Sequence, residues 1–357
     1  MRKTVFLIII AILFFGCEKK FDFSTLPKDE NITVNDTSYI EITPAFYGFT
    51  QISDIQVGGD QLIYVCDYEA NKIFQLNLAG IKIGETSLVF HPKSIAQDSR
   101  LDLLVCGEVI KNNDTIASIF RIKISNVGFN LSNININNID TIWKEKANPE
   151  RRFSDIIVVS ENQYIVARTG PNNSSPIDPD SRLLWFKKTD SLITPIPDLQ
   201  TGIGNAITFL NKPTGLISFP YKKDFIVTQF LDGVNYGAIW MTFLNSSDFI
   251  GWIPKFDPSN PLQRVDFVFP NQFFESNGGI VDPNREDIFI LTTPNLSNEY
   301  VVKKFDKKGK FKNESIKSNS ISPPILKPIT ATFSNKILFI AEKNRIVRFK
   351  LSTDFNN

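Results

Sequence analysis

One pattern constrains this chain more than any other. Residues 52–80, ISDIQVGGDQLIYVCDYEANKIFQLNLAG, form a unit that recurs in weaker copies to the C-terminus. Asp54-Ile55-Gln56-Val57 begins a short strand. Gly58-Gly59-Asp60 turns the chain, because glycine accepts positive φ without steric cost. Leu62-Ile63-Tyr64-Val65-Cys66 is a second run, β-branched and aromatic enough for a strand. After a polar break at 67–71, Lys72-Ile73-Phe74-Gln75-Leu76 alternates as a half-buried strand does. Ala79-Gly80 closes that hairpin, and residues 81–90 supply a fourth, outer strand.

The second-strand position recurs as Leu103-Leu104-Val105-Cys106, Tyr164-Ile165-Val166-Ala167, Phe225-Ile226-Val227-Thr228, Ile288-Phe289-Ile290-Leu291 and Leu338-Phe339-Ile340-Ala341. Each copy has a strand entry before it and a third-strand match after it. The entries Ile55, Ile95, Ile156, Leu216, Ile280 and Ala331 lie 40, 61, 60, 64 and 51 residues apart, which makes six units. Multi-strand repeats of roughly 40 to 50 residues point to a β-propeller, and the longer spacings to loop insertions. The expected fold is therefore all-β, a six-bladed propeller. The final unit runs out after its third strand, near Ser352. Ser38-Tyr39-Ile40-Glu41-Ile42-Thr43 alternates as a strand before the first unit. It is expected to supply the missing outer strand of the last blade, which would leave no open edge at the seam.

Ile63-Tyr64-Val65-Cys66-Asp67, then Asn71-Lys72-Ile73 and Gly80, resembles the NHL-type repeat of six-bladed propellers. The last unit, FIAEKNRIVRF over 339–349, resembles it too. The middle units depart from the pattern, so the resemblance implies architecture and no particular activity.

The first residues carry a different message. Arg2 and Lys3 precede an apolar run of 11 residues, 5–15. That is short of the roughly 20 needed to span a bilayer and fits the core of an export signal. The run ends in Leu13-Phe14-Phe15-Gly16-Cys17, which resembles a bacterial lipoprotein lipobox, although Phe14 and Phe15 depart from its usual residues. The resemblance implies cleavage before Cys17 and acylation of Cys17 with palmitate-type chains, each buried CH₂ contributing roughly 0.8 kcal/mol. An ordinary signal peptide with an incidental cysteine is the alternative. The expected organisation is a signal peptide over 1–16, a polar tether over 17–36 and the propeller over 37–352. The expected location is the outer membrane, facing the periplasm or the surface, since Glu18 is not the Asp that resembles an inner-membrane retention signal.

Charge excludes some classes. Without Arg2 and Lys3, 37 basic residues face 38 acidic ones. Nothing in that balance calls for nucleic acid. The chain lacks GxGxxG, Walker, GxSxG and CxxC motifs, and His91 is its one histidine. His91, just before Pro92 at a blade entry, reads as a loop or packing residue. Asp178-Pro179-Asp180 reads as a turn, since it lacks the remaining ligands of a calcium loop. Cys66 and Cys106 hold matching places in adjacent blades and should point the same way round the axis. Sheets about 10 Å apart then hold them beyond the ~5.5–6 Å Cα spacing of a disulfide. Two buried free thiols are expected.

In a propeller, first-strand entries and second-strand exits share one face near the axis. Those positions here are Asp54, Asp67, Glu108, Asp155, Arg168, Gln229, Asn277 and Glu342. They form a candidate ligand site at the channel mouth. One function is a non-catalytic binding or scaffold module of the cell envelope, without cofactor. Its partner would be an envelope protein, peptide or glycan held by loops such as 169–180. The alternative is a lactonase-like hydrolase whose mouth carboxylates, as hard oxygen ligands, hold Ca²⁺ or another divalent cation. A third is an envelope component with no small-molecule site.

Overall fold

The computed structural model describes residues 39–355, apart from 113, 176–177, 196–209, 211, 231–236, 249, 257–264, 269–272, 274, 294–299 and 318–323. The expected signal peptide over 1–16, the expected tether over 17–36 and Cys17 lie outside the described residues. The described chain forms six four-stranded antiparallel sheets, each a blade of a six-bladed β-propeller. The innermost strands are Ile52–Val57, Phe90–Gln97, Arg152–Val159, Pro213–Ser218, Glu275–Val281 and Thr330–Ser334 for blades 1 to 6.

The packing explains why second strands are apolar throughout. Six hydrophobic clusters occupy the six seams between neighbouring blades. In blade 1, Ile63 and Val65 face blade 6 beside Phe339 and Ala341. Tyr64 and Cys66 face blade 2 beside Val105 and Phe120. A strand covered on both faces has no polar side to show, so the run is continuous and not alternating. Each fully buried Ile, Val or Phe contributes about 1.5–3 kcal/mol. Cys66 and Cys106 are buried free thiols in successive seams, and burial pushes both well above the ordinary thiol range.

The first described strand closes the ring. Tyr39–Tyr47 pairs antiparallel with the last strand, Arg345–Leu351, from Tyr39 opposite Leu351 to Tyr47 opposite Arg345. Tyr39 packs edge-on against Phe289 at 5.5 Å, tying the closure to the seam between blades 5 and 6. Phe46 enters the seam between blades 6 and 1.

Two local features shape blade 2. The asparagine-rich run 130–138 precedes its outer strand. It forms 3₁₀ turns at Leu131–Asn133 and Ile136–Asn138, and the outer strand begins after it, at Ile139–Lys144. The side chains of Asn130 and Asn135 accept from the amides of Ser132 and Asn137 and so hold the turns. The Leu103–Lys111 and Asp114–Ile122 strands of blade 2 pair out to Lys111 opposite Asp114. Asn112 turns the hairpin at φ +52, a value asparagine tolerates.

Candidate functional site

The innermost strands do not run straight into the channel. Five of the six carry a bulge at the same end. Ser53, Ser154 and Thr214 are each one extra residue on their strand. In blade 5, Asn277 and Gly278 stand against Leu291 alone, and in blade 2, His91, Pro92 and Lys93 against Gly107 alone. A bulge re-aims side chains that a regular pleat would alternate. Here Ser53, Lys93, Ser154, Thr214 and Asn277 all line a cavity of about 360 Å³ on the channel axis. Above blades 1, 2, 3 and 6 it continues into a cleft of about 480 Å³, sharing Ser53, Lys93, Lys327 and Ile329 with it.

Asp54 and Asp155 stand at the floor of this depression. Both are committed to neighbouring strands. Asp54 accepts from the amides of Ile55 and Ile95 at 2.8 Å and from the Thr330 hydroxyl at 3.0 Å. Asp155 accepts from the Ser94 hydroxyl at 2.6 Å and the amides of Ile156 and Leu216 at 2.7 and 2.5 Å. The two acids thus bind blades 6, 1, 2, 3 and 4 together around the axis. Burial, with Asp155 nearby, pushes Asp54 up to about 7. Asp155, which keeps part of its surface open to the channel, is pushed up to about 6, again chiefly by burial.

The other expected site residues divide. Asn277 lines the cavity, and its amide donates to the Pro328 carbonyl at 3.2 Å. Glu108 lines the cleft. The remaining four do not line either space. Asp67 accepts from the amides of Thr50, Gln51 and Ala70 at 2.7, 2.9 and 3.2 Å. Arg168 is buried in an ion cluster of blade 3, donating to Glu145 at 3.1 Å and Asp178 at 2.7 Å. The same cluster sets Arg151 on Asp178 and Asp180 at 2.8 and 2.7 Å, so Asp178-Pro179-Asp180 is a braced turn. Asp178 is held down to about 2, by Arg168 and Arg151 working against its own desolvation. Gln229 is fully buried, and its backbone N–H donates to the Gly237 carbonyl at 2.9 Å. Glu342 accepts from the Leu326 amide and from Arg345 Nε at 2.5 Å.

His91 is not a plain packing residue. Within its bulge it adopts φ +45, unusual for a residue with a side chain, and Asn71 Oδ1 accepts its amide at 2.9 Å. Its ring stacks on Phe90 at 3.8 Å and on Tyr68 at 4.4 Å. Nδ1 lies 2.7 Å from Glu108 Oε2, while Arg152 Nε holds Glu108 Oε1 at 3.1 Å. The imidazole keeps 24% of its surface exposed, against 8% for Glu108. Gly107 faces the bulge, where a Cβ would lie 2.6 Å from Val89 and 3.0 Å from the Phe90 carbonyl. A carboxylate that fixes one ring nitrogen leaves the other available to move a proton.

The cleft is also cationic. Lys93, Arg152, Lys327 and Lys343 line it against the single carboxylate Glu108. For the divalent cation expected as an alternative, the donors fall short. Among the described residues no three His, Cys, Asp or Glu side chains converge. Calcium takes 6–8 oxygens, whereas the two floor acids already serve strand amides and sit beside Lys93.

No family model and no curated protein matches the chain. Solved structures do match in fold. A gluconolactonase from Xanthomonas campestris is 12% identical at a TM-score of 0.54, over 89% of this chain and 95% of that one. A calcium-binding protein, regucalcin, from Agrobacterium tumefaciens is 11% identical at 0.53, over 85% and 90%. The PQQ-bound form of an aldose sugar dehydrogenase from Streptomyces coelicolor is 9% identical at 0.55, over 88% and 98%. These likenesses bear on the fold alone.

Proposed function

We propose that this protein is a hydrolase of the lactonase kind, acting on a small ester or lactone at the channel mouth, and not a passive scaffold. The supporting observation is the His91–Glu108 pair, 2.7 Å apart at the edge of a cleft of about 480 Å³. Enzymatic propellers among the structures of like fold agree with it, by analogy of fold only.

In this reading His91 carries its proton on Nδ1 and donates it to Glu108, so Nε2 is the base. Water attacks the acyl carbon as Nε2 takes its proton. The acyl C–O bond then breaks, and Nε2 returns the proton to the leaving alkoxide, giving a hydroxy acid from a lactone. Glu108 orients the ring and stabilises the transient imidazolium. Arg152 acts through Glu108 as a positioning residue, and the Tyr68 and Phe90 stacks fix the ring plane. No step passes through a metal.

The test is hydrolysis of a panel of aliphatic lactones and aryl esters, followed with His91→Asn and Glu108→Gln. A fall of about 10²- to 10⁴-fold in kcat with unchanged thermal midpoint is expected. Activity that disappears with a chelator while His91→Asn stays active would move the chemistry to a bound divalent cation. Inactivity of the wild type across the panel would leave the binding module. That second reading is favoured by one feature: the loop 169–180 is braced by Arg151 and Arg168, which suits recognition of an envelope protein, peptide or glycan. A pull-down from envelope extracts with that loop altered reads it directly.

The protein is further proposed to be exported and anchored in the outer membrane through acylated Cys17. Labelled palmitate incorporated by the full-length wild type and not by Cys17→Ser is the expected result.

A further inference from the structure

Three lysines of the cleft have side-chain ammonium groups that hold no acid of the fold. Lys93 projects from the three-residue bulge of blade 2. Lys327 lies on the approach to blade 6, and Lys343 in the turn between its second and third strands. All three line the cleft, and Lys93 and Lys327 also reach the axial cavity. None makes an ion pair or side-chain hydrogen bond among the described residues. Arg152 differs: it serves Glu108, the Arg151 carbonyl at 2.8 Å and the Thr115 hydroxyl at 3.0 Å.

Elsewhere on this protein, lysines near acids are used. Lys72 holds Glu85, Lys304 and Lys312 hold Asp287, and Lys123 holds Asp140. At the mouth, acids are within the same depression, yet Asp54 and Asp155 are turned to strand amides and Glu108 to Arg152 and His91. The cations are thus left facing the open space between them. Around them, Ser53, Ser154, Thr214 and Asn277 offer uncharged polar groups, and Ile52, Phe153 and Ile329 offer apolar wall.

We infer that the ligand of this mouth is a small organic anion with two or more negative charges, its acidic groups held by Lys93, Lys327 and Lys343 and its hydroxylated body by the bulge side chains below. The inference rests on the mouth being the working site, and it names the substrate class that site takes. Charge-assisted hydrogen bonds are the strong ones, and a concave, partly dry setting strengthens them further. Carboxylate and phosphate groups share this chemistry, so both are tested.

Calorimetric titration of the described propeller as it occurs in the full mature chain uses two probe series. Citrate and glucarate carry carboxylates; glucose 6-phosphate and gluconate 6-phosphate carry phosphate; glucose and sorbitol are neutral controls. Binding of at least one anionic series, with none by glucose or sorbitol, is expected. The preferred series identifies the acidic group. Lys327→Ala and Lys343→Ala are each expected to weaken binding about tenfold, and the pair about a hundredfold, as loss of charged hydrogen bonds does. Lys188→Ala, exposed and remote from the mouth, should leave binding unchanged. Equal binding of neutral sugars, absence of anion binding at millimolar concentration, or an unweakened double lysine variant of wild-type thermal midpoint each overturns the inference.

The same titration on His91→Asn separates the two proposals. Anions that bind this variant, beside a wild type that hydrolyses nothing, would retain the anion site and remove the hydrolase. Turnover of neutral lactones with no anion binding would do the reverse.

Discussion

Two arcs of the channel wall solve the same problem by opposite means. Across blades 1 to 3, the inner strands meet through a polar chain: Thr330 to Asp54, Asp54 to the Ile95 amide, Ser94 to Asp155, and Asp155 to the Leu216 amide. Across blades 4 and 5, the corresponding positions are glycines. A Cβ on Gly215 would lie 2.7 Å from the Cα of Gly278, which itself sits at φ +93. Six sheets splayed round an axis leave little room at the centre. One arc fills it with carboxylates long enough to reach the next blade's backbone. The other removes side chains and lets backbones touch. Asp54 and Asp155, two of the candidate ligands in sequence, are thus the hydrogen-bonding links of that arc.

The sharpest blow to the glycine arc is Gly215→Val. Its branched side chain meets backbone with no flexible neighbour to move, so a loss of about 3 kcal/mol or more is expected, read as a lower urea midpoint with unchanged slope. Tolerance of valine would mean the two backbones are not pressed together. For the acid arc, Asp54→Ala leaves the buried Ile95 amide without its acceptor and should cost about 2–3 kcal/mol. A cost near zero would make this carboxylate a ligand group after all.

The mildest probe is pH. Asp54 at about 7 and Asp155 at about 6 both lie above the ordinary aspartate value of 3.8. The folded chain therefore holds more protons than the unfolded one between about pH 4 and pH 7. Their stabilisation is fully present below about pH 4 and is lost as pH rises to about 7. Asp178, held down to about 2, acts in the opposite direction and loses its contribution below about pH 4. The thermal midpoint should accordingly peak near pH 4 and decline up to about pH 7. Asp54→Asn with Asp155→Asn should flatten that decline. A decline that persists in the double variant would assign it elsewhere.

Sequence determined the strands, the six blades and the closing strand. Leu62-Ile63-Tyr64-Val65-Cys66 and its five copies are apolar on both faces because each lies between two neighbours, and that demand is written residue by residue along the chain. Asp67 and Glu342, candidate mouth ligands in sequence, instead hold neighbouring backbone amides. What the tertiary structure alone decided is where polar side chains aim. The bulges that carry Lys93, Ser154 and Asn277 to the mouth are mismatches in count between two paired strands, so neither strand records them by itself. Glu108 meets His91 across 17 residues, and Lys327 and Lys343 share a cleft with Lys93 across more than two hundred. Periodicity is a property of one segment; the direction of a charge at the axis depends on how six of them pack.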